Sequence, residues 1–311
     1  MKDIRTSLVA FYVLTPLLTV ARILQQFLLI DAETGFYTAE GEFIAKIISW
    51  TFLGAFVIIL LLAFLTPKIC FAAPKKSTPL GIVSFALAAA LFFDSAKVLM
   101  NIGGGKLNLV VAILGALSAV NFVMYGLSHV AEIKFPPFLA LFPVFWATVD
   151  LIAQFMRYTG QSSIIDYTVS TVTMCLVLYT LLTHSKIVIG EVSRKLTVAI
   201  IGAGLAASLF CLINTVPTVI ATVMGKANTL IHDKSIATPT IFVMAIYLIV
   251  FIHSLKKVEP TLEIEETDEE TEETEEVEEE TTSIVFETTE TEITQPETTE
   301  PEISQPETTE E

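Results

Sequence analysis

Residues Leu196–Ala221 read LTVAIIGAGLAASLFCLINTVPTVIA, a run of 26 residues without one charged side chain. As an α-helix this run extends about 39 Å at about 1.5 Å per residue, whereas the hydrocarbon core of a bilayer is about 30 Å thick. The segment is therefore long enough and apolar enough to cross a membrane. It predicts an integral membrane protein.

Seven other segments have the same apolar character, and Pro, Gly or charged residues separate them. The eight predicted spans are Thr6–Ile30, Phe43–Leu65, Leu80–Met100, Leu107–Ser128, Phe138–Tyr158, Ile164–Leu182, Leu196–Ala221 and Thr238–Leu255. The predicted fold is all-α, a polytopic transmembrane helical bundle of about eight spans. Seven spans is the alternative, because the sixth and seventh are the least clearly separated.

Charge divides the chain into two regions. All 18 Lys and Arg residues lie at or before Lys257, whereas 23 of the 34 acidic residues lie in Val258–Glu311. Residues 1–257 are the predicted transmembrane domain. Residues 258–311 are rich in Glu and Thr and contain a ten-residue repeat, EITQPETTEP followed by EISQPETTEE. Such a composition cannot bury enough apolar surface to fold, so we expect a disordered acidic tail.

Basic residues between the spans predict the orientation. With both termini on one side, eleven Lys and Arg residues lie on that side and four lie in the opposite loops. Cytoplasmic loops carry an excess of Lys and Arg. We therefore expect a multi-pass protein of the plasma membrane with both termini in the cytoplasm, which requires an even number of spans.

Polar residues recur in the outer half of the odd-numbered spans. Charged residues inside spans are costly and mark functional sites by default. The candidate ligand-binding residues are Arg22, Gln26, Asp94, Lys97, Asp150, Gln154, Arg157 and Asn214. Arg22 and Gln26 are four residues apart, and Asp94 and Lys97 are three apart, so each pair can meet on one helix face. If these faces converge, they form a chamber open to the outside with three positive and two negative charges, suited to an anionic or zwitterionic solute.

A structural interpretation of the same residues is also open. Buried pairs of Asp with Lys or Arg can fix which helices are neighbours without binding any ligand. Lys97 and Arg157 lie near enough to the outer edge for their charged ends to reach the headgroups. Asn214 followed by Pro217 can break the seventh span or only kink it.

Several function classes have no support in the sequence. The four histidines lie at predicted span ends or in loops, and no two have metal-ligand spacing. We therefore expect no metal, no cofactor and no enzymatic activity, although an intramembrane enzyme with Asp94 and Asp150 as a carboxylate pair is a third alternative. No phosphate-binding loop is present, and no basic stripe suggests nucleic acid.

Two functions are consistent with these features. The first is a transporter or permease that binds a small polar or anionic solute in the outward-facing chamber. The second is a membrane receptor or scaffold whose acidic cytoplasmic tail recruits a basic protein partner. The expected environment in both cases is the lipid bilayer.

Small-residue pairs such as Gly115-x-x-x-Ala119, Gly202-x-x-x-Ala206 and Gly204-x-x-x-Ser208 predict close helix packing in either case.

Overall fold

The computed structural model describes residues 5–31, 36–65, 70–74, 76–100, 105–131, 133–158, 165–224 and 239–258, apart from the side chains of a few residues at helix ends, among them Arg157. By its internal contacts the chain divides into Met1–Pro260 and Thr261–Glu311. The acidic tail predicted to be disordered lies outside the described residues.

The described chain is almost entirely helical, which confirms the all-α membrane bundle. The helices are α1 (Arg5–Leu24), α2 (Glu42–Phe64), α3 (Thr78–Met100), α4 (Gly105–Val130), α5 (Phe142–Tyr158), α6 (Ile165–Ile189), α7 (Arg194–Val223) and α8 (Pro239–Ser254). A π turn, Gln25–Leu29, continues α1, and a 3-10 turn, Pro137–Leu141, precedes α5. Among the described residues, seven helices are long and apolar enough to cross a membrane, and α8 is shorter, with 16 residues.

Helix α7 is the centre of the bundle. In its apolar segment 78% of the residues are buried, against 22–50% in the other six long helices. It packs against α1, α2, α6 and α8. The remaining contacts run from α8 to α3, from α3 to α4, from α4 to α5 and from α5 to α6. Helices α3 to α8 therefore form a closed ring of six, and α1 and α2 lie outside the ring against α7.

The small-residue pairs pack as predicted. Gly202 faces α2, where an added Cβ atom would lie 3.1 Å from a side-chain carbon of Leu60 and of Ala63. Gly204, two residues later, faces α6 and α8 through Thr180 and Ile252. These two glycines let α7 approach its neighbours on both sides, so the packing prediction is confirmed.

A two-stranded antiparallel sheet, which the sequence did not predict, joins two distant parts of the chain. Strand β1 (Cys70–Ala72) follows α2, and strand β2 (Lys256–Val258) follows α8. The Phe71 N–H also donates to Thr197 Oγ1 at 2.9 Å, which attaches β1 to the start of α7. The ends of α2 and α8 therefore lie on the same side of the bundle.

The N-terminal end of α1 lies on that side as well, because Tyr12 Oη and His253 Nε2 are 3.3 Å apart. We call this side the basic face, because lysines in the last turn of the even-numbered helices or after it lie there: Lys76, Lys134, Lys186, Lys256 and Lys257. The opposite face contains the π turn and the start of α2. The number of membrane crossings, seven or eight, stays a prediction.

The sixth helix is longer than predicted. The predicted span ends at Leu182. In the structure, Thr183 Oγ1 donates to Tyr179 O and Ser185 Oγ to Leu181 O, both at 2.9 Å, so these hydroxyls bond to the preceding turn and the helix continues. Helix α6 ends at Ile189, and Gly190 follows it with a φ of 110°, the left-handed conformation that commonly closes a helix.

Candidate functional site inside the helical ring

The predicted polar residues fall into separate groups, and the first is centred on Gln25. Arg22 Nη1 donates to Gln25 Oε1 at 2.6 Å, and Gln25 Nε2 donates to Ala45 O at 3.0 Å and to Ser49 Oγ at 3.1 Å. The group joins α1 to α2 and is buried outside the ring. Arg22 therefore bonds to Gln25 and not to the predicted Gln26, because the wider π turn that begins at Gln25 changes the register of the following residues. Gln26 is buried beside it.

The second group joins α3 to α8. Asp94 Oδ2 accepts hydrogen bonds from Thr240 Oγ1 at 2.5 Å and from Thr240 N–H at 3.3 Å. Lys97 does not pair with Asp94 among the described contacts. Its side chain is exposed, and its Nζ atom lies 5.5 Å from the centre of the Phe93 ring. Lys97 therefore makes a cation–π contact with Phe93 at the outer surface of the bundle.

The third group joins α5 to α6. Gln154 Nε2 donates to Asp150 Oδ2 at 3.0 Å, and Ser170 Oγ donates to Gln154 Oε1 at 3.2 Å. The side chain of Arg157, predicted to extend this stripe, lies outside the described residues. Asn214 is buried on α7, and α7 continues as a helix through Pro217. The acidic residues thus contact hydroxyl and amide groups in the described structure.

Three buried polar atoms on the ring helices α3 and α4 have no hydrogen-bond partner among the described residues. They are Asp94 Oδ1 on α3, and Asn121 Oδ1 and the Tyr125 hydroxyl on α4. Asn121 and Tyr125 are one helical turn apart and are 1% and 4% exposed, so they are shielded from both lipid and bulk water. Leaving such a group unsatisfied costs about 1–3 kcal/mol. We call these three the unpartnered atoms.

A cluster of histidine and tyrosine side chains, missed by the sequence analysis, lies nearer the basic face. His184 Nε2 and Tyr247 Oη are 2.7 Å apart, and both residues are buried. The Tyr125 ring centre lies 4.6 Å from that of His129 and 5.6 Å from that of His184. The cluster joins α4, α6 and α8 across the ring. The four-residue spacing of Tyr125 and His129 was the available signal, but the predicted span edges placed the histidines at or beyond the helix ends.

These residues define a polar axis through the ring. Thr240 and Tyr247 are seven residues apart on α8, which places them about 10 Å apart along one helix face. Thr240 bonds to Asp94, and Tyr247 bonds to His184. The polar axis therefore consists of Asp94, Thr240, Asn121, Tyr125, His184 and Tyr247, with the acid towards the opposite face and the imidazole towards the basic face.

The side chains of the polar axis can form hydrogen bonds with a polar molecule. The axis offers one carboxylate, one aliphatic hydroxyl, one amide, two phenols and one imidazole, which supply both donors and acceptors. Among the described residues no group of three or more His, Cys, Asp or Glu side chains is placed to hold a metal ion. No protein-family model, curated protein or solved structure matches the chain.

Proposed function

We propose that this membrane protein is a transporter or permease for a small polar solute, and that the solute passes along the polar axis. The observation that carries the proposal is the set of unpartnered atoms at successive positions on α3 and α4. A polar atom that the protein leaves unsatisfied can bond to a passing solute or to water. The solute is not chemically changed in this proposal.

The energetics favour a solute path over purely structural pairing. Three unsatisfied groups cost about 3–9 kcal/mol in total, at about 1–3 kcal/mol each. That is a large fraction of the 5–15 kcal/mol by which proteins are typically stable. Residues kept only to fix helix neighbours are expected to satisfy each other, as Gln25 and Ser49 do. The unpartnered atoms differ from that arrangement, which supports a role in binding.

The class of solute follows from the charges near the axis. Arg22 belongs to the group on α1 and α2, outside the ring, so the predicted chamber with a positive excess is not the arrangement that supports this proposal. The axis has Asp94 near one end and His184 with two phenols near the other. This polarity suits a zwitterionic or neutral polar solute more than a simple anion. We infer that the basic face is cytoplasmic and that the membrane is the plasma membrane, in accordance with the charge bias.

The proposal is tested by uptake into proteoliposomes. The purified protein is reconstituted and presented with a panel of radiolabelled amino acids, small carboxylates and polyols. We expect accumulation of at least one zwitterionic or neutral solute above protein-free vesicles, and loss of that uptake in Asp94→Asn, which keeps the shape of the side chain and an acceptor for Thr240. Chromatography of the recovered solute checks that it is unchanged. No uptake of any panel member, or full uptake by Asp94→Asn, contradicts the proposal.

Tail deletion distinguishes the transporter from the receptor or scaffold. A variant ending at Val258 keeps strand β2 and its pairing with β1. We expect this variant to transport as the full chain does, because the polar axis lies entirely within the helices. Loss of uptake on deletion, with unchanged thermal stability, favours a function that operates through the tail.

A further inference from the structure

A cavity of about 460 Å³ opens on the basic face, at the end of the polar axis where Tyr125 lies. Its wall is built from the α2–α3 connection, the end of α4, the 3-10 turn before α5 and the end of α6. The residues that matter for its chemistry are Lys76, Tyr125, Ser128, His129, Phe135 and Pro137. The cavity is large enough for a small organic molecule or for a lipid headgroup.

The cavity has a basic character. Lys76 and His129 line it, and no acidic side chain among the described residues does. Three further lysines lie on the same face: Lys134, Lys256 and Lys257. The negative charge of Glu191, on this face, is offset by Lys186, whose Nζ atom lies 3.7 Å from Glu191 Oε1. A concave site with cations around it attracts anions, because its walls of low polarity weaken the screening by water.

The wall also has flat apolar surfaces. Tyr125 and Phe135 pack edge to face with ring centres 5.5 Å apart, and Pro137 lies beside them. Tyr125 contributes the hydroxyl that has no partner among the described residues. An ammonium group, a hydroxyl and two aromatic rings together recognise an anion that is attached to an apolar or aromatic group.

We propose that this cavity binds a phosphate or carboxylate group carried on an apolar or aromatic molecule, with Lys76 as the principal cation. The anion could belong to a soluble molecule or to the headgroup of an anionic lipid, because the cavity lies at a membrane-facing end of the bundle. The cavity shares Tyr125 with the polar axis, but this inference is carried by Lys76 and the rest of the cavity wall, and it is measured by binding and not by uptake.

The experiment compares both sources with one matched pair of variants. The full-length protein is placed in nanodiscs of phosphatidylcholine alone, and phenyl phosphate is titrated calorimetrically. The variants are Lys76→Gln, in the cavity wall, and Lys134→Gln, an exposed lysine on the same face outside the wall. Both remove one surface charge, so they alter the general potential equally. Thermal unfolding midpoints within about 2 °C of the parent verify that both variants fold.

For a soluble ligand we expect phenyl phosphate to bind the parent. Lys76→Gln is expected to raise the Kd about tenfold or more, which is the loss expected of one charged hydrogen bond. Lys134→Gln is expected to keep the Kd within about twofold of the parent value. For a lipid we expect no phenyl phosphate binding, but phosphatidylglycerol retained on the parent after detergent extraction, as measured by native mass spectrometry, and lost from Lys76→Gln alone. Equal effects of the two variants, or no binding of either probe, overturn the proposal. Uptake of the zwitterionic solute can persist whether or not the cavity binds either probe. A failure of the cavity proposal is therefore distinguishable from a failure of the transport proposal.

Discussion

Phenylalanine at position 125 or at position 247 provides a matched test of the unpartnered atoms. Each substitution removes one phenolic oxygen from a buried ring of the same cluster. The Tyr125 hydroxyl has no partner among the described residues, whereas the Tyr247 hydroxyl bonds to His184 Nε2 at 2.7 Å. The two substitutions therefore have the same chemistry and opposite structural consequences.

The expected magnitudes follow from that difference. Tyr125→Phe relieves the cost of an unsatisfied buried group, so we expect the free energy of unfolding to rise by about 1 kcal/mol. Tyr247→Phe removes the hydrogen-bond partner of the His184 imidazole, so we expect the free energy of unfolding to fall by about 1–3 kcal/mol. For a chain of this size about 1 kcal/mol corresponds to about 2–4 °C in Tm.

The assay is thermal unfolding in nanodiscs, followed by circular dichroism for both variants and the parent. A rise in Tm for Tyr125→Phe and a fall for Tyr247→Phe are expected. The reasoning is refuted if both variants lose stability by the same amount, because the Tyr125 hydroxyl would then have a stabilising partner. Uptake adds a second readout, since Tyr125→Phe is expected to be more stable and yet less active.

Three further substitutions test other parts of the structure. Thr240→Val removes the hydroxyl that donates to Asp94, and we expect it to lower the free energy of unfolding by about 1–3 kcal/mol, measured by thermal unfolding; an unchanged Tm would show that the contact does not stabilise the ring. Gln25→Leu breaks the buried network of α1 and α2, with an expected cost of at least about 3 kcal/mol in the same assay and little effect on solute selectivity in uptake. Gly81→Ala places a Cβ atom 2.6 Å from a methyl group of α4, and we expect it to lower the free energy of unfolding by about 1–3 kcal/mol. Gly54→Ala is the control, because a Cβ atom there has no atom within 4 Å, and we expect it to leave the free energy of unfolding unchanged or to raise it. Equal effects of the two substitutions would contradict the close packing of α3 on α4.

The helices were predictable because membrane spans are recognised by length and apolar composition alone. The span Leu196–Ala221 lies within α7, and the glycines predicted to permit close packing do so. Helix α6 extends past the predicted edge at Leu182 because hydroxyl side chains that look polar in sequence bond to the preceding turn and still fit a helix. The strand pair β1–β2 was not predictable, because three-residue strands more than 180 positions apart leave no periodic signal.

The candidate site was predicted only in part. The sequence identified Asp94 as a buried acid, but its contact with Thr240 depends on which helices are neighbours, and sequence periodicity does not give that. Arg22 and Asp150 belong to other groups because α1 lies outside the ring against α7, whereas α5 lies between α4 and α6. His184 and Tyr247 were missed because their contact joins residues 63 positions apart.

The most direct test of the central claim is whether the interior of the ring admits water-soluble molecules. With Cys70, Cys175 and Cys211 replaced by alanine, Asn121→Cys and Val120→Cys are each treated in membranes with a charged, membrane-impermeant thiol reagent. Asn121 is buried in the ring at 1% exposure, and Val120, its neighbour on α4, is 51% exposed on the lipid-facing surface. A path along the polar axis predicts modification of Asn121→Cys and protection of Val120→Cys by lipid. Protection of Asn121→Cys under all transport conditions would contradict the account.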